Sequence, residues 1–145
     1  MIPAVNILIA ASRSDHPHHI PALNWLNTAM ALAELRQPLL ILPMVASGFL
    51  RLTTHPKVFS EPTPYLAAQA FIRALLDTTG VVMPTLGKEW RLFENLCEQN
   101  GLVGNDIPDA WIAATVIANH DHLVSFDKGF LRFLSPEHFT LLRPK

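Results

Sequence analysis

Apolar residues recur along the chain in two rhythms, one helical and one of short continuous runs. Between Ile20 and Leu35, Ala22, Leu23, Leu26, Ala29, Met30 and Ala33 keep helical spacing, which predicts a helix ended by "RQP". "LLILP" follows as a short buried strand. "MVASGFLRLTTH" returns to helical spacing, with Val45, Phe49 and Leu52 on one side. Pro56, Pro62 and Pro64 break the pattern into a loop, and Pro64 opens a helix that runs to about Asp77. Gly80 closes that helix and "VVMPT" is the next strand. "LGKEWRLFENLCEQNG" predicts another helix, stopped by Gly101. "NDIPDAWIAATVIANH" is a further helix, "HLVSFD" a strand and "FTLLRP" the last strand.

Short apolar strands alternating with helices predict an α/β fold, with a parallel sheet covered on both faces. Ligands of such sheets bind beyond the C-terminal ends of the strands, and Asp127 falls just past "LVS". The length, 145 residues, suits a single domain, and no repeat, linker or low-complexity stretch divides it. Half of the residues are hydrophobic and 16% are charged, which excludes a disordered chain. No apolar run is long enough to span a bilayer, and "VNILIAA" lacks the basic leader of a signal peptide. The expectation is a cytoplasmic protein with no membrane partner. The lone Cys97 suits that compartment and reads as a small apolar filler. A net charge of −1 weakens nucleic-acid binding by charge alone, but a nuclease whose carboxylates hold cations need not be basic.

Two carboxylates stand out. Asp109 opens "DAWIAA" and Asp127 follows a strand, and in a parallel α/β fold a strand end and a helix start can face one crevice. Carboxylates converging there would bind Mg²⁺ or Mn²⁺, and the metal would acidify a bound water and steady phosphate charge. On spacing alone, the favoured reading of Asp109 is a first-turn residue stabilised by the helix dipole, and that of Asp127 a turn residue. Asp106 is a third ligand or, as favoured here, the N-cap ahead of Pro108.

"GNDIPDAWIAA" followed by "HLVSFDKGFLRF" resembles the C-terminal half of PIN-domain ribonucleases of the VapC toxin type. "VNILIAA", "HPHHIPALNWL", "LPMVASGFLRLTTHP", "FSEPTP" and the final "LLRP" extend the resemblance, in order, over nearly the whole chain. It implies a three-layer α/β/α PIN-like fold with a central, mostly parallel sheet. It implies a metal-dependent endoribonuclease using Mg²⁺ or Mn²⁺, a cognate VapB-type antitoxin as partner, an RNA substrate such as transfer RNA, and a homodimer. The family pattern places an Asp before "VN", where this chain has Ala4. The matching acidic positions that remain are Asp109 and Asp127, with Asn6 and Ser125 as polar neighbours able to orient a ligand or a metal-bound water. Many members also carry a Glu where Gly48 stands, which leaves the fourth carboxylate open and makes Asp106 a candidate. Two anionic ligands hold hydrated Mg²⁺ poorly, so the chain as written is expected to be inactive or nearly so. Ala4 is either a deliberate replacement, favoured because the rest of the pattern is intact, or the mark of a naturally degenerate PIN-like module that binds antitoxin or RNA without cleavage.

The other candidates read as structure or as surface. His16, His18 and His19 are too tightly spaced for a tetrahedral metal site and are expected in a loop, with Asp15 or His16 near the cap of the next helix. His120 and His122 are expected in a solvated turn. Arg51, Lys128 and Arg132 are candidates for RNA phosphate, with a solvated charge, or for Arg132 a structural ion pair, as the equal alternative. Trp25 and Trp90 are expected in the core. Trp111, two residues after Asp109, is expected to point away from the metal site and is a candidate for packing at an interface. No Ser–His or Cys–His arrangement suggests a protein nucleophile.

Overall fold

The computed structural model describes residues 1–143. Among the described residues five short strands and six α-helices follow one another: β1 Ile2–Pro3, α1 Val5–Ser12, α2 His19–Leu35, β2 Leu39–Leu40, α3 Pro43–Thr53, α4 Tyr65–Leu76, β3 Val81–Val82, α5 Trp90–Asn100, α6 Asp106–Ala118, β4 Leu123–Ser125 and β5 Phe139–Leu141. A 3-10 turn at Lys128–Arg132 lies between β4 and β5. The predicted elements are all found, with their ends shifted by a few residues, and the structure adds β1, α1 and the 3-10 turn, which the pattern did not predict. Pro144, which closes "LLRP", lies outside the described residues.

All strand pairs are parallel: β1 with β4, β4 with β5, and β2 with β3. Leu40 N donates to Met1 O at 2.9 Å and joins the two ladders in the spatial order β3-β2-β1-β4-β5. The seam between β2 and β1 is thin because Pro3 has no N–H to offer across it. On the other side β1 is well tied, with Ile2 N to His122 O at 2.8 Å and Ala4 N to Val124 O at 2.9 Å. From β1 the chain winds outward to β2 and β3, then returns to add β4 and β5 on the opposite flank. β1 and β4 therefore flank the point where the winding reverses, the usual place for a ligand crevice.

Every residue of β4 is buried, as a sheet covered on both faces requires. Ile2, Leu8, Leu26, Leu39, Phe49 and Leu123 anchor the core, with Phe49 stacked on Phe71 at 5.1 Å between ring centroids. On α2 the buried positions are Ala22, Leu26, Ala29 and Ala33, four of the six from the periodic stripe. Trp25 packs against the core as expected. Trp90 does not: it is half exposed at the start of α5, a helix with no fully buried residue. Among the elements, α5 packs chiefly on α6, so its apolar stripe meets one neighbour rather than a core.

Arg13, only 8% exposed, ties the end of α1 to the loop before α4. It forms a forked pair with Asp15 and donates to Thr63 Oγ1 at 3.0 Å and Glu61 O at 2.8 Å, with Phe59 beneath its guanidinium. Asp15 is thus spent on Arg13. His18, not Asp15 or His16, is the N-cap of α2, and it gives no side-chain cap. His16 Nδ1 instead accepts from His18 N at 3.0 Å inside the loop.

Gly80 sets the approach of β3 to α2. Its φ is +84°, and a Cβ there would stand 2.0 Å from the carbonyl oxygen of Ala33. Gly80→Ala is expected to cost more than about 2 kcal/mol in urea denaturation. Gly80→Asn, which tolerates positive φ, should be no better, because the collision is with backbone. Recovery by Asn would show that φ alone matters.

Candidate active site

The site begins where β1 ends. Ala4 is the N-cap of α1, in extended conformation, and has no side-chain group to offer the free N–H groups of the first turn. Ala is among the least favoured residues for that role. One strand over, β4 ends at Ser125, which is fully buried. Asn6 Nδ2 donates to Ser125 Oγ at 3.0 Å, and Phe126 N donates to Asn6 Oδ1 at 3.2 Å. Asp127 N donates to Ser125 Oγ at 3.0 Å. This network fixes the backbone that carries Asp127. The Asp127 carboxylate then accepts from Gly129 N at 2.8 Å and starts the 3-10 turn. Asn6 and Ser125 therefore spend their polar atoms on each other and on the strand end.

α6 supplies the facing wall. Asn105 is its N-cap, and Asp106 and Asp109 both lie in its first turn. The expectation that Asp106 caps the helix is corrected: it sits inside the helix, and its carboxylate pairs with Arg132 at 3.0 Å. Arg132 also reaches Asp109 at 3.4 Å. The ion-pair reading of Arg132 is the one realised. Arg51 and Lys128 are exposed, on the last turn of α3 and beside Asp127.

Ala4, Asn6, Asp109 and Asp127 line one cavity of about 200 Å³, with Ile9 and Leu52 on its apolar side. Burial raises the Asp109 carboxyl above the ordinary range; Arg132 opposes this, while Asp127 and Asp106 add to it. A cavity rich in carbon with acidic groups at its mouth strengthens electrostatics inside it. Asp109 and Asp127 suit a hard divalent cation in type. They fall short in number: among the described residues no group of three or more His, Cys, Asp or Glu is placed to hold a metal. The acidic set as it stands does not complete a divalent site, and position 4, on the cavity wall, is where a third carboxylate would enter.

One group, Glu89, escaped the sequence reading, and Gly48 was noted there only for the carboxylate it lacks. Gly48 on α3 faces Val5, and a Cβ there would meet Val5 Cγ2 at 3.2 Å. Glu89 is 1% exposed and accepts from Trp111 Nε1 at 2.8 Å and from Gly87 N at 2.7 Å. Trp111 thus binds α5 to α6 within the chain. Its indole is spent on Glu89 rather than on an interface. Only the charge of "GKEW" was visible in sequence, and charge usually signals surface.

A model of the PIN domain matches residues 5–133. The chain belongs to the PIN-domain family. It is 34% identical to ribonuclease VapC31 of Mycobacterium tuberculosis over 134 residues, 92% of each chain. Ribonuclease VapC25 of the same species is 34% identical over 135 residues, covering 92% of this chain and 93% of the relative. The PIN fold is also that of VapBC2 from Rickettsia felis, solved bound to a promoter DNA fragment. That likeness has a TM-score of 0.62 at 20% identity, over 95% and 94% of the two chains. The α/β architecture predicted from alternation and resemblance is confirmed by this match.

Ser125→Ala is expected to destabilise this PIN domain by about 1–3 kcal/mol, because it orphans buried partners on both strand ends. Asn6→Ala should cost a similar amount, and the double variant much less than the sum, in urea titrations. Additive losses would mean that the two side chains act separately. Glu89 gives a pH signature. Burial pushes its carboxyl up, but the Trp111 and Gly87 hydrogen bonds outweigh that and hold it below 4.5. A carboxylate lowered in the folded state adds stability above the unfolded value and loses it as pH falls through the folded one. Stability should therefore decline below about pH 4.5, and Glu89→Gln should flatten that decline; an unchanged pH profile in the variant would show that Glu89 is not responsible.

Proposed function

We propose that this PIN domain is the toxin of a toxin–antitoxin pair, built as an endoribonuclease and disabled by Ala4. The observation that carries the proposal is the convergence of Ala4, Asp109 and Asp127 on one cavity at the C-terminal ends of β1 and β4. The relatives named ribonucleases support RNA as the substrate, and transfer RNA is the class proposed. The neighbour solved as a VapBC pair supports a VapB-type antitoxin as partner, and a homodimer and a cytoplasmic location complete the proposal. Among the described residues no helix is long and apolar enough to cross a membrane.

With a carboxylate restored at position 4, that group, Asp109 and Asp127 would hold Mg²⁺ or Mn²⁺, which would supply Lewis acidity toward phosphate and an acidified water. The chain's own contribution is position. The Asn6–Ser125 network fixes Asp127, the first turn of α6 presents Asp109, and the apolar wall limits water. Ser125 is bonded to Asn6 and to backbone, not to a histidine, so it is not set up as a nucleophile. With Ala4 the acidic set is incomplete. The same residue favours a second reading, a naturally degenerate PIN module that binds antitoxin or RNA without cutting.

Ala4→Asp is expected to raise RNA cleavage by at least about a hundredfold over the parent, a change typical of a lost charge-stabilising group. EDTA should abolish the gain, and Mn²⁺ or Mg²⁺ should restore it. A parent that cuts as well as the variant would show that position 4 is not part of the site. A folded variant that stays silent on transfer RNA and on total RNA would favour the binding module.

A further inference from the structure

The turn between α1 and α2 carries His16 and His18, and His19 opens α2. The three side chains are not equivalent. His16 Nδ1 accepts from His18 N at 3.0 Å, and His19 Nδ1 donates to Ala10 O at 2.8 Å, so both rings brace the backbone. The His18 ring has no hydrogen-bond partner among the described residues. No buried side-chain nitrogen there is left unpaired, so its nitrogens reach solvent. The ring lies on Phe126, with 5.0 Å between centroids and 38° between planes. Phe126 is fixed in turn: its N–H is held by Asn6 Oδ1, and it joins the buried Ser125 to Asp127. An aromatic ring with a free polar edge, backed by a second ring on a fixed backbone, is a preformed stacking surface.

The surface continues away from the acidic cavity. Leu142 N donates to Ser125 O at 2.8 Å, so Phe126 and Arg143 leave neighbouring strand ends. Arg143 joins Ile20, Pro21 and Asn24 of α2 around a groove of about 330 Å³, within the range of ligand pockets. Ile20 is 63% exposed there. The charges favour a polyanion. Arg143 has no ion-pair partner among the described residues, and the first turn of α2 carries no acidic residue. Asp15, the acidic residue of the adjoining turn, is already bound by Arg13.

We infer that His18 and Arg143 form a nucleotide subsite beside the acidic cavity, His18 stacking on a base of single-stranded RNA and Arg143 pairing with phosphate. The inference rests on RNA being the ligand of this PIN domain, and it holds whether or not the chain cuts. Base stacking accepts any base, so the subsite grips the strand without reading its sequence. Phe126 is a positioning residue that backs His18.

The test uses the chain as it stands, in EDTA. Fluorescence anisotropy follows a fluorescein-labelled single-stranded RNA of mixed sequence at several salt concentrations. The parent should bind, and His18→Ala should bind about tenfold more weakly, the scale of one stacked base. The backbone N–H that His16 accepts survives in every His18 variant. His18→Leu keeps the packing on Phe126 without a flat ring and should fall with His18→Ala. His18→Phe keeps the ring and should stay close to the parent. Arg143→Gln should lower the slope of log affinity against log salt by about one. Arg36→Gln, beside Met1 and His122 at the other end of the strands, should leave the slope unchanged. His18→Ala and His18→Leu binding as the parent does, or His18→Phe binding as weakly as they do, overturns the inference while the RNA reading stands. Equal slopes for Arg143→Gln and Arg36→Gln remove Arg143 from the subsite. A parent that binds no RNA overturns the inference together with the RNA reading and turns the groove toward a protein segment.

Discussion

The pairing of β1 with β4 is the constraint on which the rest of the molecule turns. It sets Ile2 against Leu123 and Pro3 against Val124, near opposite ends of the chain. Beyond the last paired residues the two strands release their chains side by side, one into α1 and one into the turn that holds Asp127. The hydrogen bond between Asn6 and Ser125 spans 119 residues and locks these exits together. No local segment can form this cavity by itself, because its walls come from both ends of the sequence. Closing so long a loop is entropically costly, and the buried apolar core around Ile2 and Leu123 is what offsets it.

The acidic wall is an expense the fold carries for another purpose. Asp106 and Asp109 gain from the N-terminal dipole of α6, yet they repel each other and Asp127. A sequence selected for stability alone would not gather like charges at a half-buried mouth. Glu89 shows the contrast. It is more deeply buried than any of the three, but its oxygens meet an indole N–H and a backbone N–H, so its charge is satisfied. Glu89 meets its partners in the interior, whereas Asp106, Asp109 and Asp127 meet Arg132 and Gly129 N at the surface.

Periodicity made α2 to α6 legible but not α1, and the strand-end rule and the resemblance together pointed to Asp109 and Asp127. Gly101 stops α5 in the left-handed conformation, as a glycine after an amphipathic stretch should. The start of that helix was not legible, because Glu89 turns back to bond Gly87 N and delays helix formation until Trp90. Trp90 was misplaced for a related reason: an apolar stripe says that a residue can be buried, not that a neighbour reaches it. Asp106 was misread because capping and ion pairing use the same residue in the same place, and Arg132, which decides between them, comes from a distant turn. The 3-10 turn carries no period and depends on one side-chain bond from Asp127. Tertiary partners are what a local pattern cannot contain.

The close approach of Gly48 to Val5 bears on how this cavity can change over evolutionary time. Any side chain at position 48 must push Val5 Cγ2 aside by a few tenths of an ångström. Val5 is β-branched in the first turn of α1, next to Ala4, and has little rotamer freedom with which to yield. Acquiring an acidic group on α3 is therefore contingent on what stands at position 5. A smaller residue there gives room outright, whereas a valine must shift to give it. The two positions are thereby coupled: what position 48 can carry depends on how far the side chain at position 5 can move.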